Sequence, residues 1–294
     1  DDILIWGTTR QEQDERLRAV LEAARNAGLT FNAAKCKIGV TKISFLGDVI
    51  SEEGIRPSPG TVSSVLDMPA PTDKLGVQRM LGVVNYFGKF LPALAEKTKL
   101  MRQLIKKDTM FEWSENHAKE WNQICKCLSM QPVLAIFDPR RDTKVTSDAS
   151  QNGIGSALLQ RYGESWKPVA YASRVLTDAQ KRYAQIEKEA MAVVCGCEKF
   201  HHFVYGRKVI LETDHRPLIA ISQKAIGDMP PRLQRFFLRL LKYDFQLQFI
   251  PGKQLVLADM LSRTPVSSPH TNEANEDVEV HEVRVASSLV SEAN

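Results

Sequence analysis

The sequence predicts an α/β protein in which helices flank a β-sheet, because strand and helix patterns alternate along its second half. Residues 144–160 predict two strands and a tight turn, since an Asn-Gly dipeptide there separates two apolar runs. Residues 183–197 predict a helix, since their apolar side chains fall on one helical face. Residues 169–174 predict a third strand that completes an antiparallel trio, and residues 208–214 predict a strand that ends in a carboxylate.

Length and composition indicate an ordinary globular protein of about two domains, with 294 residues, of which 43% are hydrophobic and 25% charged. No apolar run is long enough to span a membrane, and the N-terminus lacks a signal-peptide layout, so an intracellular location, cytoplasmic or nuclear, is expected. The two Cys-x-Cys pairs fall in predicted helices, where residues two apart face nearly opposite ways. We therefore expect reduced thiols rather than a metal site.

The net charge of +4 is unevenly distributed along the chain. Residues 264–294 contain six acids and one arginine, a net charge of −5, which leaves +9 on residues 1–263. A basic body favours a polyanionic partner. The acidic segment has no sustained periodicity and predicts a disordered tail.

The first seventy residues predict an α+β fragment with no decisive chemistry. A strand is expected at residues 1–7, an amphipathic helix at 10–28, and two further strands at 35–37 and 43–50. A turn follows the second of these at Glu53-Gly54. A linker is then predicted by Pro57, Pro59, Pro69 and Pro71.

Residues 74–107 predict helices, with an apolar face formed by Val77, Met80, Leu81, Val84, Phe87, Leu91 and Leu94. Six cations in this region could contact phosphates, or could simply face solvent: Lys89, Lys97, Lys99, Arg102, Lys106 and Lys107. Another helix is expected to begin at the N-cap Ser114 and to continue through Leu128.

Four acids in the second half of the chain have the arrangement that a two-metal site requires. Asp148 lies in the first strand of the hairpin, Asp214 ends the later strand, and Asp259 opens a short predicted helix. The predicted helix between them offers either Glu187 or Glu189, because both lie about 80° from the centre of its apolar face. Carboxylate oxygens suit Mg²⁺, and two such ions about 4 Å apart can hold an attacking water and a leaving oxygen.

Four short segments contain these acids. They are Ser147-Asp148-Ala149-Ser150 with Gly153-Ile154-Gly155, then Glu187-Lys188-Glu189, Thr213-Asp214-His215, and Ala258-Asp259-Met260-Leu261-Ser262-Arg263. In this order they resemble the ribonuclease H domain of gypsy-type long-terminal-repeat retrotransposon polyproteins. The resemblance implies a ribonuclease H-like mixed sheet flanked by helices, preceded by a truncated reverse-transcriptase palm and a helical thumb.

The resemblance also implies the site and the reaction. The catalytic and metal-binding carboxylates would be Asp148, Glu189, Asp214 and Asp259, with Glu189 preferred to Glu187 because the family's glutamate directly precedes an apolar run. They would bind two Mg²⁺ ions, or Mn²⁺ as a substitute, and cleave the RNA strand of an RNA–DNA hybrid. The alternative is a non-catalytic nucleic-acid-binding remnant of a retroelement polyprotein. Leu255, where the family often has Asn, and the lack of a histidine between His215 and Asp259 predict slower cleavage.

The N-terminal half resembles parts of a reverse transcriptase. Asp1-Asp2 resembles the paired aspartates of the palm, Phe45-Leu46-Gly47 its primer-gripping hairpin, and residues 82–90 the thumb. The aromatic residue before the paired aspartates, the third palm aspartate and the fingers are missing, so Asp1 and Asp2 are interpreted as a polymerase remnant. We expect no templated DNA synthesis by this chain alone. The implied domains are a partial palm at 1–70, a thumb and connection at 71–130, ribonuclease H at 131–263 and an acidic tail at 264–294.

A basic helical face is predicted late in the chain. Its cations are Arg232, Arg235, Arg239 and Lys242, with Leu233, Phe236, Phe237 and Leu240 roughly opposite. No acid occurs among them, which favours a surface that follows a phosphate backbone. A solvated helix side above a buried stripe is the simpler alternative.

Overall fold

The structure, a computed structural model, describes residues 2–130 and 132–251. It contains two sheets. A small antiparallel sheet lies near the N-terminus and a five-stranded mixed sheet in the second half, with a helical unit between them in sequence. Within the described residues, no helix is both long enough and apolar enough to cross a membrane.

The N-terminal part differs from the sequence prediction in two places. Residues 2–7 are irregular rather than a strand, and Ile3 and Trp6 are at least half exposed, because no described strand pairs with them. A strand was expected at residues 35–37, but residues 33–35 form a 3₁₀ helix and residues 36 and 37 are irregular. The amphipathic helix is present as α1 (Arg10–Asn26), which is capped by the Thr9 side chain.

Residues 43–50, where the apolar pattern predicts one strand, form a hairpin, as the resemblance of Phe45-Leu46-Gly47 implies. The small sheet is β1 (Lys42–Phe45), β2 (Asp48–Ser51) and β3 (Gly54–Pro57), in that order. Leu46 and Gly47 form the tight turn between β1 and β2 with positive φ angles of 47° and 79°. The hydroxyl of Tyr86 donates to the Leu46 carbonyl, and Lys89 pairs with the buried Asp48 carboxylate, so the hairpin is attached to the following helices.

The helical unit has the core that the periodicity predicts. Its elements are α2 (Pro59–Leu66), α3 (Lys74–Tyr86), α4 (Leu94–Lys97), α5 (Lys99–Leu104) and α6 (Glu115–Ser129). All seven predicted apolar positions from Val77 to Leu94 are buried. Ser114 caps α6 as predicted. The expected proline linker is wrong in part, because Ser58 caps a helix that begins at Pro59, where proline is well tolerated.

The second half forms the predicted α/β unit. Its strands are β4 (Thr143–Ala149), β5 (Gly153–Tyr162), β6 (Ser165–Val175), β7 (Lys208–Thr213) and β8 (Asp244–Phe249), in the order β6-β5-β4-β7-β8. The trio β4–β6 is antiparallel, whereas β7 runs parallel to β4 and β8 parallel to β7. The predicted mixed sheet is therefore confirmed. The sequence analysis missed β8, although Phe245, Leu247 and Phe249 alternate with glutamines.

The unit that contains this sheet also contains helices. They are α7 (Asp178–Lys181), α8 (Gln185–Lys199), α9 (His201–Val204), α10 (Arg216–Ser222) and α11 (Pro231–Leu240). Gly196 lets α8 lie directly on the sheet, because a Cβ there would sit 2.8 Å from the hydroxyls of Ser147 and Ser156. The predicted stripe Leu233, Phe236, Phe237 and Leu240 on α11 is buried.

Candidate functional site

Three of the predicted carboxylates meet at one edge of the mixed sheet. Asp148 is the second-last residue of β4 and Asp214 directly follows β7, and these neighbouring strands are parallel, so both acids reach the same edge. Glu189 arrives from the second turn of α8. One carboxylate oxygen from each of the three lies within 4.8 Å of the others. Asp148 and Glu189 are buried and Asp214 is exposed, so the group is accessible from the Asp214 side.

Glu189 is the most enclosed member of this group. It is 2% exposed, and Gln185 Nε2 donates both to its Oε1 at 2.6 Å and to the carbonyl of Ala149 at 3.0 Å. Within the described residues, Glu189 Oε2 is buried without a hydrogen-bond partner. Burial first, and then the charges of Asp148 and Asp214, raise the pKa of Glu189 to about 8.

Glu187 points elsewhere. Its carboxylate accepts the backbone N–H of Ala184 at 3.0 Å and forms an ion pair with Arg232, with Oε2 and Nη1 2.7 Å apart. Helix phase alone left both glutamates possible, and the structure brings Glu189 into the acidic group while Glu187 holds α11 to α8.

Glu212, two residues before Asp214, is a buried acid with a different role. Lys144 Nζ lies 2.8 Å from Glu212 Oε1, and the Thr146 hydroxyl donates to Oε2 at 2.6 Å. Its charge is compensated by these contacts within the sheet. The acidic group therefore consists of Asp148, Glu189 and Asp214 among the residues from 2 to 251 that the structure describes.

Several predicted residues lie outside this group or outside the described chain. Asp259, Leu255 and Asp1 fall outside the described residues. Asp2 is exposed in an irregular segment, far in sequence from the acidic group. His215, next to Asp214, is half-buried, and burial lowers its pKa.

The three carboxylates fit a divalent cation. Their donors are all hard carboxylate oxygens, which Mg²⁺ and Mn²⁺ accept. The buried Glu189 Oε2 is an acceptor that a cation would satisfy, and a positive charge would offset the repulsion that raises the Glu189 pKa.

This pKa leads to a prediction about cation binding. Below about pH 8 Glu189 holds a proton that a cation must displace, so we expect affinity for Mn²⁺ to rise about tenfold per pH unit up to that pH and then level off. Titration of Mn²⁺ from about pH 6 to about pH 9 measures this slope. Glu189→Gln should remove it, and a wild-type affinity that is constant below pH 8 would contradict the assignment.

The sequence analysis missed three polar residues beside the acids. Gln185 orients Glu189 from one helical turn earlier, a spacing that the sequence contains. Ser150 follows Asp148 in the β4–β5 turn, and Glu96 reaches that turn from α4. Only the fold brings Glu96 there, because it lies in the helical unit.

The predicted basic face is only partly as expected. Arg232, Arg235 and Arg239 lie on α11, and Lys242 follows its end. Although α11 contains no acid, α8 supplies two: Arg232 pairs with Glu187, and Arg239 Nε lies 2.9 Å from Glu198 Oε1. Arg232 also lies over the Tyr183 ring. Arg235 and Lys242 are exposed. Two of the four cations therefore have carboxylate partners on α8, and a phosphate-binding role for this face stays a prediction.

The chain is similar in sequence to known proteins. A family model described as an RNase H-like domain found in reverse transcriptase matches residues 113–211. The chain is 29% identical over 277 residues to the retrovirus-related Pol polyprotein from transposon 297 of Drosophila melanogaster. It is 31% identical over 268 residues to the transposon Tf2-3 polyprotein of Schizosaccharomyces pombe. These alignments cover 94% and 90% of the chain but only 26% and 20% of the two polyproteins, so the chain spans about a quarter or less of their length.

The fold is similar to that of solved reverse-transcriptase structures. A foamy viral protease-reverse transcriptase in complex with an RNA/DNA hybrid superposes with a TM-score of 0.72 and 18% identity, over 92% of this chain and 37% of that one. The dRH form of the same protein in complex with double-stranded DNA gives a TM-score of 0.71 and 19% identity, over 83% and 44%. At these identities the likeness shows the fold, in which a helical unit precedes a mixed sheet.

Proposed function

Because this chain contains an RNase H-like region of a retrotransposon Pol polyprotein, we propose that it is a metal-dependent endoribonuclease that cleaves the RNA strand of RNA–DNA hybrids. The observation that carries the proposal is the convergence of Asp148, Glu189 and Asp214 within 4.8 Å. Three carboxylates held this close together, from two strands and a helix, repel one another, and a bound cation would stabilise them. Without a cation, the charges of Asp148 and Asp214 add to burial in raising the pKa of Glu189.

Each residue has a defined task in this proposal. Asp148, Glu189, Asp214 and, by resemblance, Asp259 would hold the cations. When bound, a pair of Mg²⁺ ions, or Mn²⁺, would supply Lewis acidity for hydrolysis of the phosphodiester bond, which would give 5′-phosphate and 3′-hydroxyl ends. Gln185 fixes the orientation of Glu189 through its hydrogen bond to Oε1. Because Asp148 and Glu189 are buried, water would be excluded from one side of a bound phosphate, whereas exposed Asp214 leaves the acidic group accessible from the other side.

The proposed substrate is a hybrid recognised by its shape. Proteins read A-form-like duplexes mainly through phosphates and 2′-hydroxyls rather than base sequence. The net charge of +9 on residues 1–263 supports a polyanionic ligand. The foamy viral enzyme of similar fold was solved with an RNA/DNA hybrid, which supports the same class of ligand for this chain.

We assign the remaining segments as in the family. Residues 1–70 would be part of a palm, residues 71–130 a thumb and connection, and residues 131–263 the nuclease. Asp2 and Asp1 would belong to the palm, without a role in hybrid cleavage.

The ion pairs of α11 distinguish those cations of its basic face that have carboxylate partners from those that are available to phosphates. Arg235 is exposed, so we expect Arg235→Ala to weaken hybrid binding and to reduce the log–log salt slope by roughly 0.9, the value for one lost phosphate contact. Arg239→Ala is the matched comparison and should change the slope less, because Glu198 already compensates its charge. The measurement is hybrid affinity against salt. An unchanged slope for Arg235→Ala would return this face to a solvated helix surface.

The proposed activity is tested with a panel of labelled substrates. RNA–DNA hybrid, double-stranded DNA, double-stranded RNA and single-stranded RNA are each incubated with the protein and Mg²⁺. We expect cleavage of the hybrid's RNA strand above all others. Hybrid binding without any cleavage would instead support a nucleic-acid-binding remnant.

A further inference from the structure

The helical unit touches the nuclease site at the turn between β4 and β5. Just before α4, Ala93 adopts a left-handed conformation with φ 54° and ψ 36°, which is strained for a non-glycine residue. Ala93 is 4% exposed and packs with Ala157 and Leu159 of β5. This packing holds α4 against the hairpin that carries Asp148.

A hydrogen bond crosses this contact. The Ser150 hydroxyl donates to Glu96 Oε1 at 2.6 Å, the nearer of its two acceptors, since the carbonyl of Gly153 lies 3.0 Å away. Ser150 Oγ accepts the backbone N–H groups of Gly153 at 2.9 Å and Asn152 at 3.3 Å. Ser150 thus closes the turn with its oxygen and attaches the turn to α4 with its proton. A bond to a carboxylate is among the stronger hydrogen bonds in proteins.

The neighbouring contacts make this approach close. The backbone N–H of Ala95 donates to the Ser173 hydroxyl at 3.0 Å, so α4 is attached to β6 as well. A Cβ at Gly153 would lie 3.4 Å from Glu96 Oε1 and 3.2 Å from the carbonyl of Arg174. A side chain at Gly153 would therefore contact the Glu96 carboxylate and would be crowded mainly by the Arg174 carbonyl.

Glu96 and Asp148 also face the same small cavity. It has a volume of about 10 Å³, the size of one water molecule, and its lining includes Ser150 and Gly155, the residue paired with Asp148 across the hairpin. Ser150 is two residues from Asp148 along the chain, so a displacement of the turn would move the end of β4 that carries Asp148.

We propose that Glu96 is a positioning residue of the nuclease site. Through Ser150 it fixes the β4–β5 turn and hence Asp148, so the helical unit contributes to the geometry of the acidic group. The inference rests on the proposed function, since it assigns a residue to that site. It makes the nuclease dependent on a contact from a segment about fifty residues earlier in the chain.

Substitution of Glu96 should misplace Asp148 without removing any of the three carboxylates of the acidic group. Glu96→Ala removes the acceptor, and a small misplacement of a reacting group costs up to about 10²-fold in rate, so we expect a 10- to 100-fold lower single-turnover rate with little change in hybrid affinity. Glu96→Gln keeps an acceptor oxygen at the same reach and should stay within about threefold of wild type. Ser150→Ala removes this donor and also the acceptor of two turn N–H groups, so it should be at least as slow as Glu96→Ala. The double variant should be no slower than Ser150→Ala.

The experiment measures single-turnover hybrid cleavage and, without substrate, Mn²⁺ affinity for these variants. Asp108→Asn, at an exposed acid of the same helical unit, is the control and should match wild type. We expect Glu96→Ala to weaken Mn²⁺ binding, with Glu96→Gln restoring it. Thermal unfolding identifies variants that fail to fold. If Glu96→Ala is one of them, the variants Glu96→Gln and Ser150→Ala still test whether the bond between Glu96 and Ser150 positions Asp148.

Three outcomes would overturn the inference. They are wild-type rate and Mn²⁺ affinity in folded Glu96→Ala, additive losses in the double variant, and equal damage from Gln and Ala at position 96. If wild type itself does not cleave hybrid, the proposed function fails, and the Mn²⁺ affinities alone then decide whether Glu96 positions the acidic group.

Discussion

Asp148→Asn is expected to lower hybrid cleavage by roughly 10³-fold while the protein still folds and binds hybrid. Asparagine has the same shape but lacks the charge that holds a cation, and losing about 4 kcal/mol of metal-derived transition-state stabilisation corresponds to that factor. Asp148 is 9% exposed at the end of a central strand, so an isosteric change leaves its packing in place. Single-turnover rates and hybrid affinity are the measurements.

The control for Asp148→Asn is the effect of its charge on the pKa of Glu189. The Asp148 charge raises the pKa of Glu189, so Asp148→Asn should lower that pKa and leave the metal-free protein at least as stable as wild type. A thermal unfolding comparison without metal checks this. Cleavage by Asp148→Asn at the wild-type rate would show that the acidic group does not perform the reaction.

Glu189→Gln is expected to cause a similar loss, roughly 10³-fold, whereas Glu187→Gln should stay within about threefold of wild type. Glu189 is buried in the acidic group, and Glu187 is engaged with Arg232. The two substitutions are chemically identical and two residues apart on one helix, so each is the matched control of the other.

The ion pair gives Glu187→Gln a separate signature. Loss of its bond to the partly exposed Arg232 should cost at most about 1 kcal/mol of stability, without affecting the chemistry. Equal rate losses from the two glutamine variants, or a larger loss at position 187, would contradict the placement of Glu189 in the site.

Much of the fold was predictable because its signals are local. The Asn-Gly turn, the apolar face of α8 and the strand before Asp214 each depend on a few neighbouring residues. The choice between Glu187 and Glu189 was not local. The rotation of α8 about its axis depends on the contact of Gly196 with Ser147 and Ser156, which only the folded sheet supplies.

The errors have similar physical causes. Within the strand expected at residues 1–7, residues 2–7 lack a partner among the described residues, and a strand pattern alone does not form a sheet. The strand pattern at residues 43–50 did not indicate a turn, because Leu46 adopts a positive φ that residues other than glycine rarely take. Only the resemblance of Phe45-Leu46-Gly47 to a hairpin implied it. On α11 the counter-charges come from α8, so the sequence of one helix could not show that two of its arginines are paired.

Glu96 shows the same limit at the site itself. It lies in the helical unit, and only the packing of α4 on β5 and β6 brings its carboxylate to Ser150. A local motif can thus identify acids that share a site without identifying the residues that hold them in place.

The most direct test of the central claim is single-turnover incubation of a hybrid, with the RNA and DNA strands labelled separately, in Mg²⁺ and in EDTA. We predict RNA fragments with 5′-phosphate ends in Mg²⁺, an intact DNA strand, and no reaction in EDTA. Cleavage that persists in EDTA, or a hybrid that remains intact in Mg²⁺ although the protein binds it, would contradict a metal-dependent nuclease built on Asp148, Glu189 and Asp214.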